Sequence, residues 1–320
     1  MKHFELDLNQ SEFELQQIPA GEYILDEDLA GAVKVAIALN QPLLLTGEPG
    51  TGKTRLAYKI AWDLSQQNEA FRSEPLVFHT KTTSIAQDMF YNYDALRHFH
   101  EANLAKIAAS EAPPTAHFIQ LRAFGEAIAL SNAAEVASGQ FIQAKQAAGS
   151  VVLIDEIDKA PRDFPNDILH EIENREFEIK EANNHRIQKG NHRILVILTS
   201  NSEKHLPEPF LRRCVYYHIP FPKEAKLLEI VRSQLGERTE YADRQLIEHF
   251  LHIRQRVKKK KPATAELIAW LRILELHRFL ESGVDFQQLT HEQKSLLRLS
   301  YSVLAKKRED LEVIEAWALR

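Results

Sequence analysis

The chain has 320 residues, of which 44% are hydrophobic and 27% charged, an ordinary balance for a soluble globular protein with a large core. Its formal net charge of −5 excludes a global basic field that would attract nucleic acid or an anionic membrane, although a local basic patch stays possible. The single cysteine, Cys214, excludes an internal disulfide framework, and no apolar run reaches the ~20 residues of a membrane span, so we expect a soluble cytoplasmic protein.

Apolar strands and amphipathic helices alternate over the first two thirds of the chain. After an irregular leader, Asp26 can cap a helix that stops at 40–42, and a buried strand at 43–45 follows. Further short apolar runs predict strands at 76–78, 151–154, 194–198 and 215–219. Strands that alternate with helices favour a parallel sheet with helices on both faces. A helix at 166–173 and a hairpin at 177–187 are predicted between the strands at 151–154 and 194–198.

Two regions depart from this alternation. The alanine-rich segment 87–150 is longer than one crossover needs, so we expect a mostly helical insert with breaks at Pro113-Pro114 and Gly125. After residue 220 the pattern is helical only, and its clearest helix carries Trp270 on an apolar face with Thr264 as the expected N-cap. The predicted organisation is a leader (1–25), an α/β domain (26–220) with a helical insert (about 87–150), and a helical subdomain (221–320).

The segment GEPGTGKT (47–54) has the spacing of a phosphate-binding loop, with four residues between Gly47 and Gly52 and then Lys-Thr. Glycines let the backbone curl so that its N–H groups and the positive end of the next helix face a polyphosphate. In such a loop Lys53 reaches the β- and γ-phosphates, and the Thr54 hydroxyl is a ligand of Mg²⁺. A predicted strand before the loop and a predicted helix after it argue against a chance match. The residues assigned to the nucleotide are Gly47, Glu48, Pro49, Gly50, Thr51, Gly52, Lys53, Thr54 and, from a later strand, Asp155.

That later strand, at 151–154, is followed directly by the acidic pair Asp155-Glu156. An aspartate there can hold Mg²⁺ together with Thr54, and the adjacent glutamate can orient a water for attack on the γ-phosphorus. Acidic strand ends are common, but the upstream loop favours the catalytic interpretation. Asp158 continues the acidic run, and we expect it only to cap the next turn.

Two further signals are weak by themselves. Asn201 follows the strand at 194–198, and because ligands gather at the carboxyl ends of parallel strands, it can reach the γ-phosphate or the attacking water. Arg212 and Arg213 precede the last strand, and such arginines can neutralise transition-state charge in their own chain or a neighbour's. A surface arginine pair bound to acids is the simple alternative.

The order of these segments resembles that of the AAA+ ATPases and, within them, the MoxR-like group. The resemblance covers about residues 20–320 and is carried by GEPGTGKT (47–54), VVLIDEIDKAPRDFPNDIL (151–169), ILVILTSN (194–201), LPEPFLRRC (206–214) and LAKKREDL (304–311). It implies a P-loop NTPase fold, an α/β domain with a parallel five-stranded sheet and helices on both faces, followed by a smaller all-α lid. It also implies ATP and Mg²⁺ as ligands and a homo-oligomeric ring, usually a hexamer.

The resemblance makes Asn201 similar to the first sensor residue and Arg213 to the arginine finger, with Arg212 in reserve. One departure concerns the lid. Many family members have an arginine at the start of a lid helix that reads the γ-phosphate, whereas this chain has PATAE at 262–266. We expect Lys260 or Lys261 to be the available substitutes.

The function we expect is a ring ATPase that remodels or activates protein clients or a co-encoded protein partner. Aromatic residues of the insert are candidates for gripping a polypeptide, with packing inside the insert as the alternative: Phe90, Tyr91, Tyr93 and Phe99. A nucleic-acid motor or loader and a nucleotide-gated scaffold or sensor with slow turnover are the competing functions. The basic run at 256–261 is better explained as a solvated turn than as a nucleic-acid patch. No Asn-Lys-x-Asp segment is present, which favours adenine over guanine.

Overall fold

The computed structural model describes residues 19–108, 111–201, 206–282, 286 and 288–318, so most of the predicted leader (1–25) lies outside the described residues. The strands of the described part are Leu43–Gly47 (β1), Leu76–His79 (β2), Tyr91–Tyr93 (β3), Ile119–Leu121 (β4), Ser150–Asp155 (β5), Glu176–Ile179 (β6), His185–Gln188 (β7), Ile194–Ser200 (β8) and Val215–Ile219 (β9). The α-helices are Glu27–Leu39 (α1), Lys53–Gln67 (α2), Ala95–Ile107 (α3), Ala123–Ser131 (α4), Ala133–Ser138 (α5), Phe164–Asn174 (α6), Glu208–Leu211 (α7), Glu224–Leu235 (α8), Arg244–Arg256 (α9), Thr264–Leu276 (α10), His291–Leu304 (α11) and Arg308–Ala318 (α12). Within these described ranges, no helix combines the length and apolar character needed to cross a membrane.

Five strands form one parallel sheet in the order β2-β5-β8-β1-β9, which confirms the predicted α/β fold with a five-stranded parallel sheet. Strand β8 lies between β1 and β5. Its register pairs Ser200 with Thr46 on one side and Leu198 with Ile154 on the other. The carboxyl ends of β1, β5 and β8 therefore meet at one edge of the sheet, where the phosphate-loop sequence, the acidic pair and Asn201 follow them.

Strands β1, β2, β5 and β8 each supply side chains to two hydrophobic cores, because successive side chains point to opposite faces. In β5, Val151 and Leu153 pack with α1 and α2, whereas Val152 and Ile154 pack with α4 and α6. All four side chains are fully buried. Burial on both faces explains why the strands are continuous apolar runs with no polar alternation.

The segment 87–150 is only partly helical, which corrects the prediction. Strands β3 and β4 pair antiparallel, with Tyr91 opposite Leu121, and α3 lies between them in the chain. Helix α4 belongs to the core of the sheet, because nearly all of its residues are buried and it packs on β2 and β5. Gly125 does not break this helix; a Cβ at that position would lie 2.0 Å from the carbonyl oxygen of Phe90, so the glycine permits a close approach. Strands of three residues are too short for periodicity to reveal.

The insert aromatics divide between core and surface. Phe90 and Tyr91 are 4% and 5% exposed and stack on Phe177 with ring centroids 5.0 Å and 6.2 Å away, so these two belong to the core. Tyr93 is half-buried, and its hydroxyl lies 2.7 Å from Nδ1 of His98. Phe99 on α3 is 69% exposed, so of the four it is the one available at the surface.

Helices α8 to α12, in the described part of the chain after residue 221, pack around an apolar core of their own. Trp270 is fully buried there, and its indole N–H donates to Ser300 at 2.9 Å. The N-cap of α10 is Ala263 and not Thr264 as predicted, because the Glu266 carboxylate accepts the Ala263 N–H at 3.1 Å and Thr264 is already the first helical residue. This capped helix end faces the sheet domain.

Candidate functional site

The loop between β1 and α2 forms a candidate phosphate cradle. Strand β1 is buried along its length, and α2 begins at Lys53 with Gly52 as its N-cap. Gly50 and Gly52 have φ angles of +77° and +87°, a region that glycine adopts without strain. A Cβ on Gly50 would lie 2.8 Å from that of Ala263, so the loop also needs glycine for its contact with α10. Backbone N–H groups at such a helix start form an anion site.

Lys53 lies in the first turn of α2 and is 7% exposed. Its Nζ donates to the carbonyl oxygens of Gly47 and Glu48 at 2.8 Å and 2.9 Å, and to Oδ1 of Asn201 at 2.9 Å. Burial lowers the pKa of the Lys53 amine, and nearby carboxylates, led by Asp158, oppose that shift. The fold thus holds the lysine at the loop and joins it to Asn201.

Asp155 and Thr54 meet beside the lysine. The Thr54 hydroxyl donates to Oδ1 of Asp155 at 3.0 Å, and the Nδ1 of His79 lies 3.7 Å from Oδ2 of the same carboxylate. A carboxylate and a hydroxyl are the hard oxygen ligands that Mg²⁺ takes in nucleotide sites. The donor set therefore fits the metal that the sequence predicts.

Thr199, which sequence reasoning missed, connects the two acidic residues. Its hydroxyl donates to Oδ1 of Asp155 and accepts the backbone N–H of Glu156 at 2.9 Å. Thr199 lies near the carboxyl end of β8 and is 1% exposed. Its place two residues before Asn201 is the one available sequence signal, and that signal has meaning only once β8 is known to lie beside β5.

Glu156 turns the chain sharply at the end of β5. Its φ of +57° lies in the left-handed region, which is uncommon for a residue with a side chain and is often found at functional sites. The side chain is 42% exposed, so water can reach it, and it forms an ion pair with Lys159. Its hydrogen bond to Lys159 raises the pKa of that amine.

Asp158 has a different role from the predicted turn cap. It lies in the short 3-10 turn Ile157–Lys159, and its Oδ1 accepts the backbone N–H of Asn201 at 3.1 Å. The carboxylate thereby fixes the residue whose side chain contacts Lys53. The sequence could not show this, because Asp158 and Asn201 follow different strands.

Arg212 and Arg213 do not join the site of their own chain. They precede β9, whose Val215 pairs with Leu43 at the amino end of β1, whereas the phosphate loop follows its carboxyl end. Because a strand rises about 3.3 Å per residue, the two ends of β1 are about 13 Å apart. Their side chains are exposed, with Arg213 3.5 Å from a carboxylate oxygen of Glu173 and Arg212 3.4 Å from one of Glu208.

A cavity of about 520 Å³ opens beside the loop, between the sheet domain and the lid helices. Gly50 and Gly52 line it on the loop side, and Ser233 and Thr264 line it on the lid side. The hydroxyls of these two lid residues are buried without a hydrogen-bond partner. The volume of this cavity lies in the range of small-molecule sites, so it is large enough to hold a ligand such as a nucleoside.

Residues 43–222, more than half of the chain, match the family described as ATPase family associated with various cellular activities (AAA). The matched region contains the loop, the acidic pair, Thr199 and Asn201.

The chain belongs to the AAA family.

Among curated proteins, no sequence matches this AAA protein significantly.

Solved structures match this chain at low sequence identity. A structure described as the basis for katanin self-assembly is 14% identical, with a TM-score of 0.40, covering 93% of this chain and 90% of that one. NtrX from Brucella abortus in complex with ATP is 13% identical, with a TM-score of 0.45, covering 91% of this chain but 58% of that one. The FIGL-1 AAA domain in complex with ADP is 16% identical, with a TM-score of 0.39, covering 87% of this chain and 77% of that one.

The lid of this AAA protein contacts the loop through a residue that the sequence did not indicate. Lys260 and Lys261, the expected substitutes for a lid arginine, are exposed. Arg254 on α9 is instead buried, and its guanidinium forms an ion pair with Glu48 of the loop. The same group donates to the carbonyl of Pro262, just before α10. The sequence did not indicate this contact, because Arg254 and Glu48 are 206 residues apart in the chain and Arg254 lies before the segment where an arginine was expected.

Proposed function

We propose that this AAA protein binds ATP with Mg²⁺ and hydrolyses it. The observation that supports the proposal most strongly is the meeting of Lys53, Thr54, Asp155, Glu156 and Asn201 at one edge of the sheet. These residues come from three separate stretches of sequence, and the fold brings them beside a glycine loop and a nucleoside-sized cavity. A bound Mg²⁺ would neutralise phosphate charge, and Thr54 and Asp155 are the residues that would hold it.

Each residue then has a distinct role. The loop N–H groups and Lys53 bind the phosphates, with the lysine amine exchanging its carbonyl partners for phosphate oxygens. Asn201 contacts the lysine and lies where it can also orient the terminal phosphate. Glu156 accepts a proton from the attacking water, and it must leave its ion pair with Lys159 to do so.

Arg213 acts on the nucleotide of a neighbouring subunit. It is exposed and lies at the end of β1 remote from its own loop, so a role in hydrolysis requires a second copy of the chain. A ring, hexameric as in the MoxR-like proteins that the sequence resembles, would place one subunit's arginine at the next subunit's site. Arg212 is the second candidate. In this proposal residues 26–220 form the ATPase domain, residues 221–320 form the lid, and the protein works in the cytoplasm.

Two substitutions test the chemistry. Lys53→Ala should lose most nucleotide binding, because it removes the mobile cation from the phosphates. Glu156→Gln should bind ATP but hydrolyse it far more slowly, because an amide cannot accept the proton. Affinity for a fluorescent ATP analogue and release of phosphate would be measured for both variants. Normal turnover by Glu156→Gln would remove Glu156 from the catalytic role.

The proposed work is remodelling or activation of protein partners. It rests on the MoxR-like sequence segments and on the negative net charge. The Glu156→Gln variant in ATP should retain a partner protein that the Lys53→Ala variant releases. Turnover stimulated severalfold by DNA or RNA, and lost when Lys258–Lys261 are replaced by alanine, would instead support a nucleic-acid motor.

A further inference from the structure

Arg254 is a buried cation that links the lid to the phosphate loop. It lies near the end of α9 with its side chain 8% exposed, and its guanidinium pairs with the Glu48 carboxylate. The guanidinium carbon lies 3.6 Å from the ring centroid of Phe221, which follows β9 where the chain leaves the sheet. One side chain therefore contacts the loop, the connection between the domains and, through Pro262, the start of α10.

Glu48 has two connections inside the loop. Its carbonyl oxygen accepts the Thr51 hydroxyl at 2.8 Å and the Lys53 amine at 2.9 Å. Its carboxylate is half-exposed and turned toward the lid, where Arg254 neutralises it. Holding the Glu48 side chain thus also fixes the carbonyl beside the lysine.

A carboxylate in a phosphate loop repels the phosphates that the loop must bind. The loop must accept a ligand with several negative charges, and an unpaired acid within a few ångströms of it would repel each added phosphate. A buried arginine that forms hydrogen bonds to the acid removes this repulsion. The planar guanidinium of arginine matches the hydrogen-bond geometry of a carboxylate better than the ammonium of lysine does.

We propose that Arg254 is a positioning residue for the nucleotide: it neutralises and holds Glu48, and so keeps the phosphate loop receptive to polyphosphates while tying the lid to it. The inference rests on the proposed nucleotide binding. It places the lid cation on α9 and in contact with the loop, whereas the sequence led us to expect a γ-phosphate contact from Lys260 or Lys261.

The test measures the affinities of wild-type protein and Arg254→Ala for adenosine, AMP, ADP and ATP. Loss of the arginine should weaken ATP binding roughly tenfold and ADP binding less, and leave adenosine nearly unaffected, because the repulsion from Glu48 grows with phosphate charge. Arg256→Ala is the matched control, since Arg256 lies on the same helix and stacks on Trp317, with its guanidinium carbon 4.1 Å from the ring centroid. Its affinities should follow those of the wild type.

The decisive variant is the double substitution Arg254→Ala with Glu48→Gln. If Arg254 acts by neutralising Glu48, removing the acid should restore most of the lost ATP affinity. An equal loss for all four ligands would show that Arg254 only packs the lid, and no recovery in the double variant would show that it does not act through Glu48; either result would overturn the inference. If Arg254→Ala does not fold, Arg254→Lys and Arg254→Gln replace it. Lysine keeps the positive charge and glutamine removes it, so only Arg254→Gln should lose nucleotide affinity in proportion to the phosphate charge. A wild-type protein that binds none of the ligands would reject the proposed function itself, whereas wild-type binding with unaltered Arg254→Ala would reject this inference alone.

Discussion

The amine of Lys53 lies 2.9 Å from the side-chain oxygen of Asn201, although 148 residues separate them in the chain. The contact exists because β8 lies beside β1 in the sheet, so that the residues following both strands meet. Asp158, which follows β5, stabilises this contact by accepting the backbone N–H of Asn201. The site is thus fixed by pairs of residues that share no local sequence.

This relationship predicts the effect of removing Asn201. Asn201→Ala should lower ATP turnover by about 10²-fold with a small change in affinity, because it removes one preorganised polar group from the site. Asp158→Ala should lower turnover in the same direction but less, since it only loosens Asn201. Steady-state kinetics would separate kcat from KM. Asp163→Ala is the control, as Asp163 is a nearby exposed acid, and a fully active Asp158→Ala would show that Asn201 needs no such support.

The contacts of Thr199 predict that its substitution raises the Mg²⁺ concentration needed for turnover. Thr199→Val removes the hydroxyl that joins Asp155 to the Glu156 N–H with little change in volume. Loss of a group that orients a metal ligand typically costs about 10–100-fold in metal affinity or activity, so half-maximal turnover should need more Mg²⁺. Titration of turnover with Mg²⁺ measures this. Thr199→Ser should behave like the wild type, and a valine variant with an unchanged Mg²⁺ requirement would contradict the role.

The proposed action of Arg213 on a neighbouring subunit predicts that two inactive variants can complement each other. Arg213→Ala should bind ATP but hydrolyse it about 10³–10⁵-fold more slowly, if the arginine stabilises the transition state. Lys53→Ala has the reverse defect, because its own site is damaged while its arginine is intact. Mixing the two inactive variants should restore part of the turnover, measured as phosphate release against mixing ratio. Arg212→Ala serves as the matched neighbour, and a mixture as inactive as its components would argue against action on a neighbouring subunit.

The burial of His249 predicts that the stability of the lid depends on pH. It is 8% exposed in the lid core, with Nε2 2.8 Å from the Tyr301 hydroxyl, and burial lowers its pKa to about 4 with smaller contributions from His252 and Arg256. An unfolded histidine titrates near pH 6.5, so between about pH 4 and 6.5 the unfolded state binds more protons. The free energy of unfolding should therefore fall as the pH drops through this window, by at most about 3 kcal/mol.

Urea unfolding at pH 7 and pH 5 would measure this difference. The His249→Gln variant should lose the part of the pH dependence that is due to this ring. His252→Gln should keep it, because His252 is exposed on the same helix. Identical pH dependence in the wild type and in His249→Gln would contradict the assignment.

The sequence by itself determined the local parts of this protein. Apolar runs predicted the five sheet strands, glycine spacing predicted the loop at 47–54, and Asp26 predicted the start of α1, where its carboxylate accepts the Leu29 N–H. Such features are readable because strand burial, loop curvature and helix capping depend on neighbouring residues. The family assignment followed from the same short segments.

Only the tertiary structure decided which distant residues meet. Strand order placed Thr199 between Asp155 and the Glu156 N–H, and it put Arg213 at the end of the sheet away from its own loop. Packing of the lid brought Arg254, and not Lys260 or Lys261, to Glu48. These contacts depend on strand order and helix packing, which arise from the summed burial of many side chains and leave no local pattern in the sequence.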